Sequence, residues 1–232
     1  MLVAALVFAL QFKPVQTYVA KKAAKYLSEE LHTTITIKSL FIKPFKSVVL
    51  EGLYIEDLSK DTLLYSPKLS IDLNTLSIKN RKISVSTTEM NDGVFYLKDL
   101  KDTTTNLDFI INYFDTGKPK PKVKSTKKPY YITFDHIILN NFKFRYKNFR
   151  VDTTVNGINY DDISLRKLNV HLSDLNTKEH LVKAKIEKLS FKEKSGFYLQ
   201  NLTALATIDT NQMEVKNLQL VAPQTHLTHY VK

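Results

Sequence analysis

The chain has 232 residues and a formal net charge of +11, with 34 Lys and Arg residues against 23 Asp and Glu residues. It contains no Cys, which excludes disulfide scaffolds, zinc–thiolate sites and thiol catalysis, and its 5 Gly argue against glycine-rich phosphate-binding folds. A hydrophobic content of 43% is ordinary for a folded protein, so a wholly disordered chain is not expected.

The chain opens with an uncharged apolar run over residues 1–10. A bilayer span needs roughly 20 apolar residues, so the run alone fits the end of a membrane anchor, the remnant of a secretory signal or an ordinary buried helix. We interpret residues 1–12 as a partial transmembrane anchor whose beginning precedes this sequence. The anchor residues under this interpretation are Leu2, Val3, Leu6, Val7, Phe8 and Leu10.

An amphipathic helix is predicted over residues 13–32. Apolar residues recur there at i, i+3 and i+4 spacing, and Pro14 suits a first helical position. Two structures fit this pattern: a helix that caps the end of a β region close to the bilayer surface, and an ordinary amphipathic surface helix.

From Thr33 the apolar period changes to two. Short alternating runs bounded by polar turns are typical of antiparallel strands in a sandwich, a barrel or a curved sheet. Apolar residues at helical spacing predict one short helix near 106–114, which we expect to plug or cover the sheet. We assign residues 33–116 to a first β segment that includes this helix.

A stretch rich in Lys and Pro, residues 117–129, carries the densest positive charge and almost no apolar side chains. Such a segment cannot bury enough surface to fold, so an exposed linker is expected. Lys outnumbers Arg along the chain, whereas recognition of bases and phosphates favours Arg, and we therefore predict no nucleic-acid partner.

A second β segment is predicted over residues 130–232. Its Asn-containing turns, at Asn140-Asn141, Asn201 and Asn217, suggest a loose repeat of strand, Asn turn and strand. Because the pattern stops in the middle of this repeat, we expect the second β segment to continue beyond Lys232 in a longer protein.

No group of residues in the sequence resembles an active site. His226 and His229 are close together but have no carboxylate beside them, and a metal site needs further ligands. The carboxylate pairs Glu29-Glu30, Glu56-Asp57 and Asp161-Asp162 fall at helix ends or strand turns, where acidic residues form local hydrogen bonds. We predict no catalytic residues, no metal, no cofactor and no enzymatic activity.

The alternation of apolar and polar residues predicts a sheet with one apolar face. In a closed sandwich that face is core, whereas in an open curved sheet it is a groove that can hold acyl chains, and the residues alone leave both structures open. The candidate groove-lining residues are Ile71, Ile83, Val85, Phe134, Phe142, Phe144, Val170, Leu172, Ala184, Ile186, Ala206 and Ile208.

The order of several segments resembles the TamB/AsmA-like family in its Bacteroidetes form. Residues 14–40 contain Pro-Val-Gln, a Lys/Ala helix and a Thr-x-Ile-x-Ile strand, and they are followed by Phe45–Asp57, Asp61–Leu73, Asn106–Phe114 and Ile158–Leu175. The resemblance covers nearly the whole chain and depends on the order of these segments, since no single motif is highly specific.

This resemblance implies a mainly β fold, in which an N-terminal membrane or amphipathic helix precedes an antiparallel, curved and open β-sheet with a taco-like apolar groove. It implies a non-catalytic protein held in the inner membrane by a single span, with the bulk of the chain in the periplasm. The implied function is phospholipid transport between the inner and outer membranes, with phospholipid acyl chains and the inner membrane as partners. The alternative is an assembly factor for outer-membrane proteins that interacts through a strand edge with a BamA-type barrel partner.

Overall fold

The computed structural model of the chain describes residues 12–43, 47–77, 82–116, 131–151, 156–178, 181–209 and 212–231. The anchor predicted over residues 1–12 lies outside these ranges except for Phe12, and the linker predicted over residues 117–129 lies outside them entirely. None of the helices within these ranges combines the length and apolar content that a membrane span requires.

The described chain is mainly β, with two helices and one large sheet of twelve strands. Helix α1 is Lys13–Leu31 and helix α2 is Asp108–Thr116. The strands are β1 (Ile35–Thr36), β2 (Ser39–Lys43), β3 (Ser47–Glu56), β4 (Thr62–Ser77), β5 (Lys82–Asn91), β6 (Val94–Asp99), β7 (Tyr131–Asn148), β8 (Asp162–Lys178), β9 (Leu181–Glu193), β10 (Tyr198–Ile208), β11 (Met213–Ala222) and β12 (Thr225–Val231).

The sheet follows the chain from one edge to the other. Its order is β1-β3-β4-β5-β7-β8-β9-β10-β11-β12, with β2 also paired to β3 and with β6 paired to both β4 and β7. The predicted β segments, 33–116 and 130–232, therefore share one sheet, joined where β7 pairs with β5 and β6.

The expectation of an entirely antiparallel sheet is wrong at β7, because β7 runs parallel to both β5 and β6. Parallel neighbours need a crossover of a dozen or more residues, usually with a helix. Residues 100–130 connect β6 to β7 and contain α2, so the short helix predicted near 106–114 is part of this crossover.

Several long strands contain a bulge at which a polar residue adopts the left-handed conformation. Asn141 in β7 has φ 51°, Lys167 in β8 has φ 51° and Asn217 in β11 has φ 52°, and the register shifts beside each of them. The predicted Asn turns are therefore wrong, because Asn140, Asn141, Asn201 and Asn217 all lie inside continuous strands. Asn tolerates this conformation, and each bulge bends its strand and increases the local twist.

Helix α1 covers the first edge of the sheet. The hydroxyl of Thr17 accepts a hydrogen bond from Leu40 N and donates one to Leu40 O, both at 3.1 Å. Ser28 makes the same reciprocal pair with Ile35, at 2.8 Å and 3.0 Å. The backbone groups that an edge strand would otherwise expose are thus satisfied by the helix.

The most enclosed apolar cluster lies between this helix and the first strands. Ala24, Leu31 and Ile35 are buried, and the partly buried side chains of Phe109 and Tyr113 from α2 pack against them. His32 caps the C-terminal end of α1: it adopts a left-handed φ of 54°, and its backbone N–H donates to the carbonyl of Ser28. The two helices therefore pack together over one end of the sheet.

Candidate functional site

Ten apolar side chains form a continuous row across the sheet, and each lies opposite the next in the strand register. Residues opposite each other on neighbouring strands share a face of the sheet, so the row stays on one face. At about 4.8 Å between strands, it is about 40 Å long. The members of this apolar row are Leu40, Leu50, Leu69, Met90, Leu139, Val170, Leu189, Leu202, Leu220 and Leu227.

A second row runs beside the first. Ile71, Leu172 and Ile186 belong to it, and Thr88 is its one polar member. Together the two rows make a strip two side chains wide, which we call the apolar strip. The second row consists of Val48, Ile71, Thr88, Ile137, Leu172, Ile186 and Ala204.

The apolar row lies at the surface. Nine of its members are half-buried, and Leu227 on β12 is 51% exposed. A sandwich would bury this face beneath a second sheet, but all of the strands within the described ranges belong to one sheet. The strip therefore presents an apolar surface that the rest of the described chain leaves half-open.

An apolar cavity of about 450 Å³ lies where the row begins, between α1 and the first strands. Leu40 and Leu50, the first two members of the row, line it, and α2 contributes Ile110. On the α1 side it is lined by Val19, Ala20, Ala23, Ala24, Leu27 and Leu31. Every lining side chain is apolar, so the cavity suits a hydrocarbon group.

The opposite face of the sheet is polar at the matching positions. Ser39, Glu51, Lys68, Asn91 and Asn140 lie opposite one another in register across β2, β3, β4, β5 and β7. The hydroxyl of Ser39 donates to the carboxylate of Glu51 and holds its pKa below the usual value. The amide of Asn140 donates to Asn91 Oδ1 at 2.9 Å. At these positions the face opposite the apolar row is thus polar.

No protein-family model matches this chain, and no curated protein matches it significantly. The resemblance to the TamB/AsmA-like family therefore stays a prediction.

The structure places the predicted groove-lining residues in several separate parts of the sheet. Val170 belongs to the apolar row, and Ile71, Leu172 and Ile186 belong to the second row. Val85 pairs with Phe134, while Ile83 lies further along β5. Phe144 pairs with Phe95, at a ring-centroid distance of 6.1 Å. Towards the end of the sheet, the groove-lining candidates are Ala184, Ala206 and Ile208.

Two of the predicted groove-lining residues are buried. Val85 is 4% exposed and Phe142 is 3% exposed. The ring of Phe142 lies so close to Gly93 that a Cβ placed on Gly93 would be 2.1 Å from its Cε2 atom. These two side chains pack within the sheet and offer a ligand little surface.

Sequence reasoning missed most of the apolar row, because the pairing of strands decides which residues lie opposite each other. One local signal was present. Where a polar residue inside a strand adopts the left-handed conformation, apolar residues stand two before it and one after it, as Leu139 and Phe142 flank Asn141. This three-residue spacing within an alternating run indicates a bulge that keeps both apolar side chains on one face.

The carboxylate pairs are held in ion pairs and hydrogen bonds. Asp57 is 1% exposed and accepts from Lys98 Nζ at 2.7 Å, while Asp162 lies 2.8 Å from Lys194 Nζ. Within the described ranges, no group of three or more His, Asp or Glu side chains is placed to hold a metal ion. The buried carboxylate of Asp57 instead fixes the loop that follows β3.

Proposed function

We propose that this protein is a non-catalytic lipid carrier, in which phospholipid acyl chains lie along the apolar strip. The single observation that carries the proposal is the apolar row, ten side chains in register that remain half-exposed or exposed across ten of the twelve strands. Exposed apolar surface on this scale is uncommon on soluble monomers and typically marks a site for an apolar partner.

The uniform chemistry of the strip suits transport as well as binding. Each methylene group removed from water contributes roughly 0.8 kcal/mol, whichever part of the strip covers it. Leu occupies eight of the ten positions in the apolar row, so neighbouring positions offer similar contacts. An acyl chain can then move from one strand to the next with little change in free energy.

The bulges support a curved groove, and the cavity supports a place where an acyl chain enters it. The left-handed residues Asn141, Lys167 and Asn217 bend their strands, which favours a curved sheet. The cavity beneath α1 would accept an acyl chain at the beginning of the strip. In the proposed arrangement, the sheet curves around the acyl chains as a taco-like groove.

The proposed location is the inner membrane, with the bulk of the chain in the periplasm. It rests on the apolar run at residues 1–10 and on the resemblance to the TamB/AsmA-like family. In this proposal the protein transfers phospholipid between the inner and outer membranes during outer-membrane biogenesis.

Site-specific photocrosslinking tests the proposal with a matched pair of positions. Leu139 lies in the apolar row, whereas its neighbour Ile138 lies on the other face, opposite His171 and Glu89. A benzophenone side chain placed at each position in turn, in cells, should form phospholipid adducts from position 139 and few from position 138. Equal labelling at both positions, or none at position 139 in a folded protein, would contradict the proposal.

One observation favours a second function, an assembly factor for outer-membrane proteins. Within the described ranges β12 pairs only with β11, so one side of β12 has no strand partner there. Such an edge can add a strand from another protein by β-augmentation. Crosslinkers at His226 would then capture outer-membrane proteins or a BamA-type barrel partner, and crosslinkers at Leu139 would capture no lipid.

A further inference from the structure

The outward side of helix α1 combines exposed aromatic and basic side chains. Tyr18 is 63% exposed and Tyr26 is 54% exposed, and Lys21, Lys22 and Lys25 are exposed between them. At 100° per residue these five side chains share the face of α1 that points away from the sheet. We call them the Tyr/Lys face.

The lysines on this face are largely unneutralised. The Nζ atom of Lys25 lies 3.8 Å from the carboxylate of Glu29. This pair is exposed, so the attraction between its charges is weak and leaves Lys25 available to an anionic partner. Lys22 lies 5.7 Å from the ring centroid of Tyr18. Within the described residues, Lys21 and Lys22 have no carboxylate partner. The face therefore carries a positive charge that suits an anionic surface.

Tyr side chains are suited to the boundary between lipid and water, because the ring is apolar and its hydroxyl is polar. Lysine stems can lie along that boundary while the ammonium groups reach the headgroups. A helix that carries such residues on one side lies in the plane of the interface. The opposite side of α1 packs against the sheet, where Gln16, Ala20 and Ala24 are buried.

From this geometry we propose that the Tyr/Lys face of α1 docks on the surface of an anionic phospholipid bilayer. Docking would bring the apolar cavity beside the membrane, because Val19 and Ala23 line the cavity and are themselves exposed at its margin. The proposal does not depend on lipid transport, since it rests on a different surface from the apolar strip.

Fluorescence can test this contact directly, because the chain contains no Trp. The full chain carrying Tyr18→Trp should show a blue-shifted emission with vesicles of phosphatidylcholine and phosphatidylglycerol, and brominated lipid should quench it. The matched control is Tyr160→Trp, which replaces a Tyr that is 75% exposed and lies between β7 and β8. Its emission should not change with vesicles.

Charge removal provides an independent test. Replacing Lys21, Lys22 and Lys25 by Gln should lower the partition coefficient onto the same vesicles roughly 100-fold at low salt. The matched control replaces three exposed lysines of β9, Lys183, Lys188 and Lys192, and should bind like the native chain.

Three results would overturn the proposal. The first is vesicle binding that leaves the Tyr18→Trp emission unshifted, which would assign binding to another segment, such as residues 1–10. The second is an equal loss of binding in the two lysine variants. The third is equal binding to vesicles of phosphatidylcholine alone. Loss of lipid adducts at position 139 would count against the proposed transport function and leave this contact intact.

Discussion

Gln16 forms a reciprocal pair of hydrogen bonds with the backbone of Ile42. Its Oε1 atom accepts from Ile42 N at 2.7 Å, and its Nε2 atom donates to Ile42 O at 3.1 Å. A side-chain amide has the same donor and acceptor as a peptide group, so Gln16 takes the place of a neighbouring strand beside β2. The helix thereby closes the first edge of the sheet to further strands.

Replacing Gln16 by Ala should both destabilise the protein and open this edge. Gln16 is buried, so the variant leaves two backbone groups of Ile42 unsatisfied, at a cost of about 1–3 kcal/mol. The freed edge should also promote association between copies of the chain. Denaturant titration and analytical ultracentrifugation measure the two effects. Lys22→Ala on the exposed face is the control, and a Gln16→Ala variant as stable and monomeric as this control would disprove the assignment.

Gly93 and Phe142 form a close contact between β6 and β7 that admits no side chain at position 93. Gly93→Ala should cost about 1–3 kcal/mol, because the new methyl group would meet the buried ring at 2.1 Å. The double variant Gly93→Ala with Phe142→Leu should lose less stability than the sum of the two single variants. If thermal or denaturant unfolding shows that the two stability losses simply add, the contact between Gly93 and Phe142 is not the cause of the loss in Gly93→Ala.

The bulge in β7 predicts a clear order among substitutions of Asn141. Its φ of 51° is accessible to Gly but strained by roughly 1–3 kcal/mol for a β-branched residue. We expect Asn141→Val to be markedly less stable than Asn141→Gly. The loss in Asn141→Gly should be modest and reflect the side-chain hydrogen bond to Asp92, at 2.6 Å. Equal stability of the Val and Gly variants would argue for a regular strand.

The sequence predicts the class of the fold and the position of its helices, because periodicity is a local property. Apolar residues between Val15 and Leu31 recur at helical spacing, and the structure has helix α1 there. The strands from Thr33 onward are predicted for the same reason, since a period of two needs no knowledge of the neighbouring strand. Asn141, by contrast, is typical of turns, and only its pairing with β6 and β8 distinguishes a bulge from a turn.

The pairing of β7 could not be predicted because it depends on a crossover rather than on local pattern. The same alternation in Tyr131–Asn148 suits a parallel or an antiparallel neighbour. Register decides in turn which side chains meet: Met90 and Leu139 are 49 positions apart in sequence, yet they are direct partners in the apolar row. The existence of an apolar face was therefore predictable from the sequence, whereas the residues that line up in the apolar row were not.

The buried ion pair of Asp57 and Lys98 predicts a dependence of stability on pH. Burial, the largest influence, raises the pKa of Asp57, but hydrogen bonds from Lys98 and Asn106 outweigh it and place the pKa below the usual value. Burial likewise lowers the pKa of Lys98, and the hydrogen bonds to Asp57 and Asp61 raise it overall. The carboxylate therefore contributes stability that is fully present above its unfolded pKa of about 3.9 and is lost as the pH falls through its lower folded pKa.

Removing the ammonium group of Lys98 should reveal how the stability depends on pH. Lys98→Met leaves the carboxylate of Asp57 buried without its partner, which should cost about 3–5 kcal/mol near neutral pH. The loss should shrink in acid, where Asp57 is protonated, and the double variant with Asp57→Asn should recover part of it. Unfolding free energies measured across pH check both points. A loss that stays constant from acid to neutral pH would contradict the assignment.

A charge placed in the middle of the apolar row should block lipid binding while leaving the sheet folded. Val170 is half-buried on β8, between Leu139 and Leu189, so Val170→Asp puts a carboxylate where an acyl chain would lie. Displacing a charge from water into a hydrocarbon contact is strongly unfavourable, and we expect the purified variant to carry at least tenfold less phospholipid. Val170→Ala keeps the surface apolar and should retain its lipid. His171→Asp places the same charge one residue away on the opposite face, near Lys188, and should also retain its lipid.

Native mass spectrometry of protein prepared without detergent measures bound phospholipid in all three variants, and circular dichroism establishes that each is folded. Undiminished lipid in folded Val170→Asp, or equal losses in Val170→Asp and His171→Asp, would show that lipid does not lie on the apolar row.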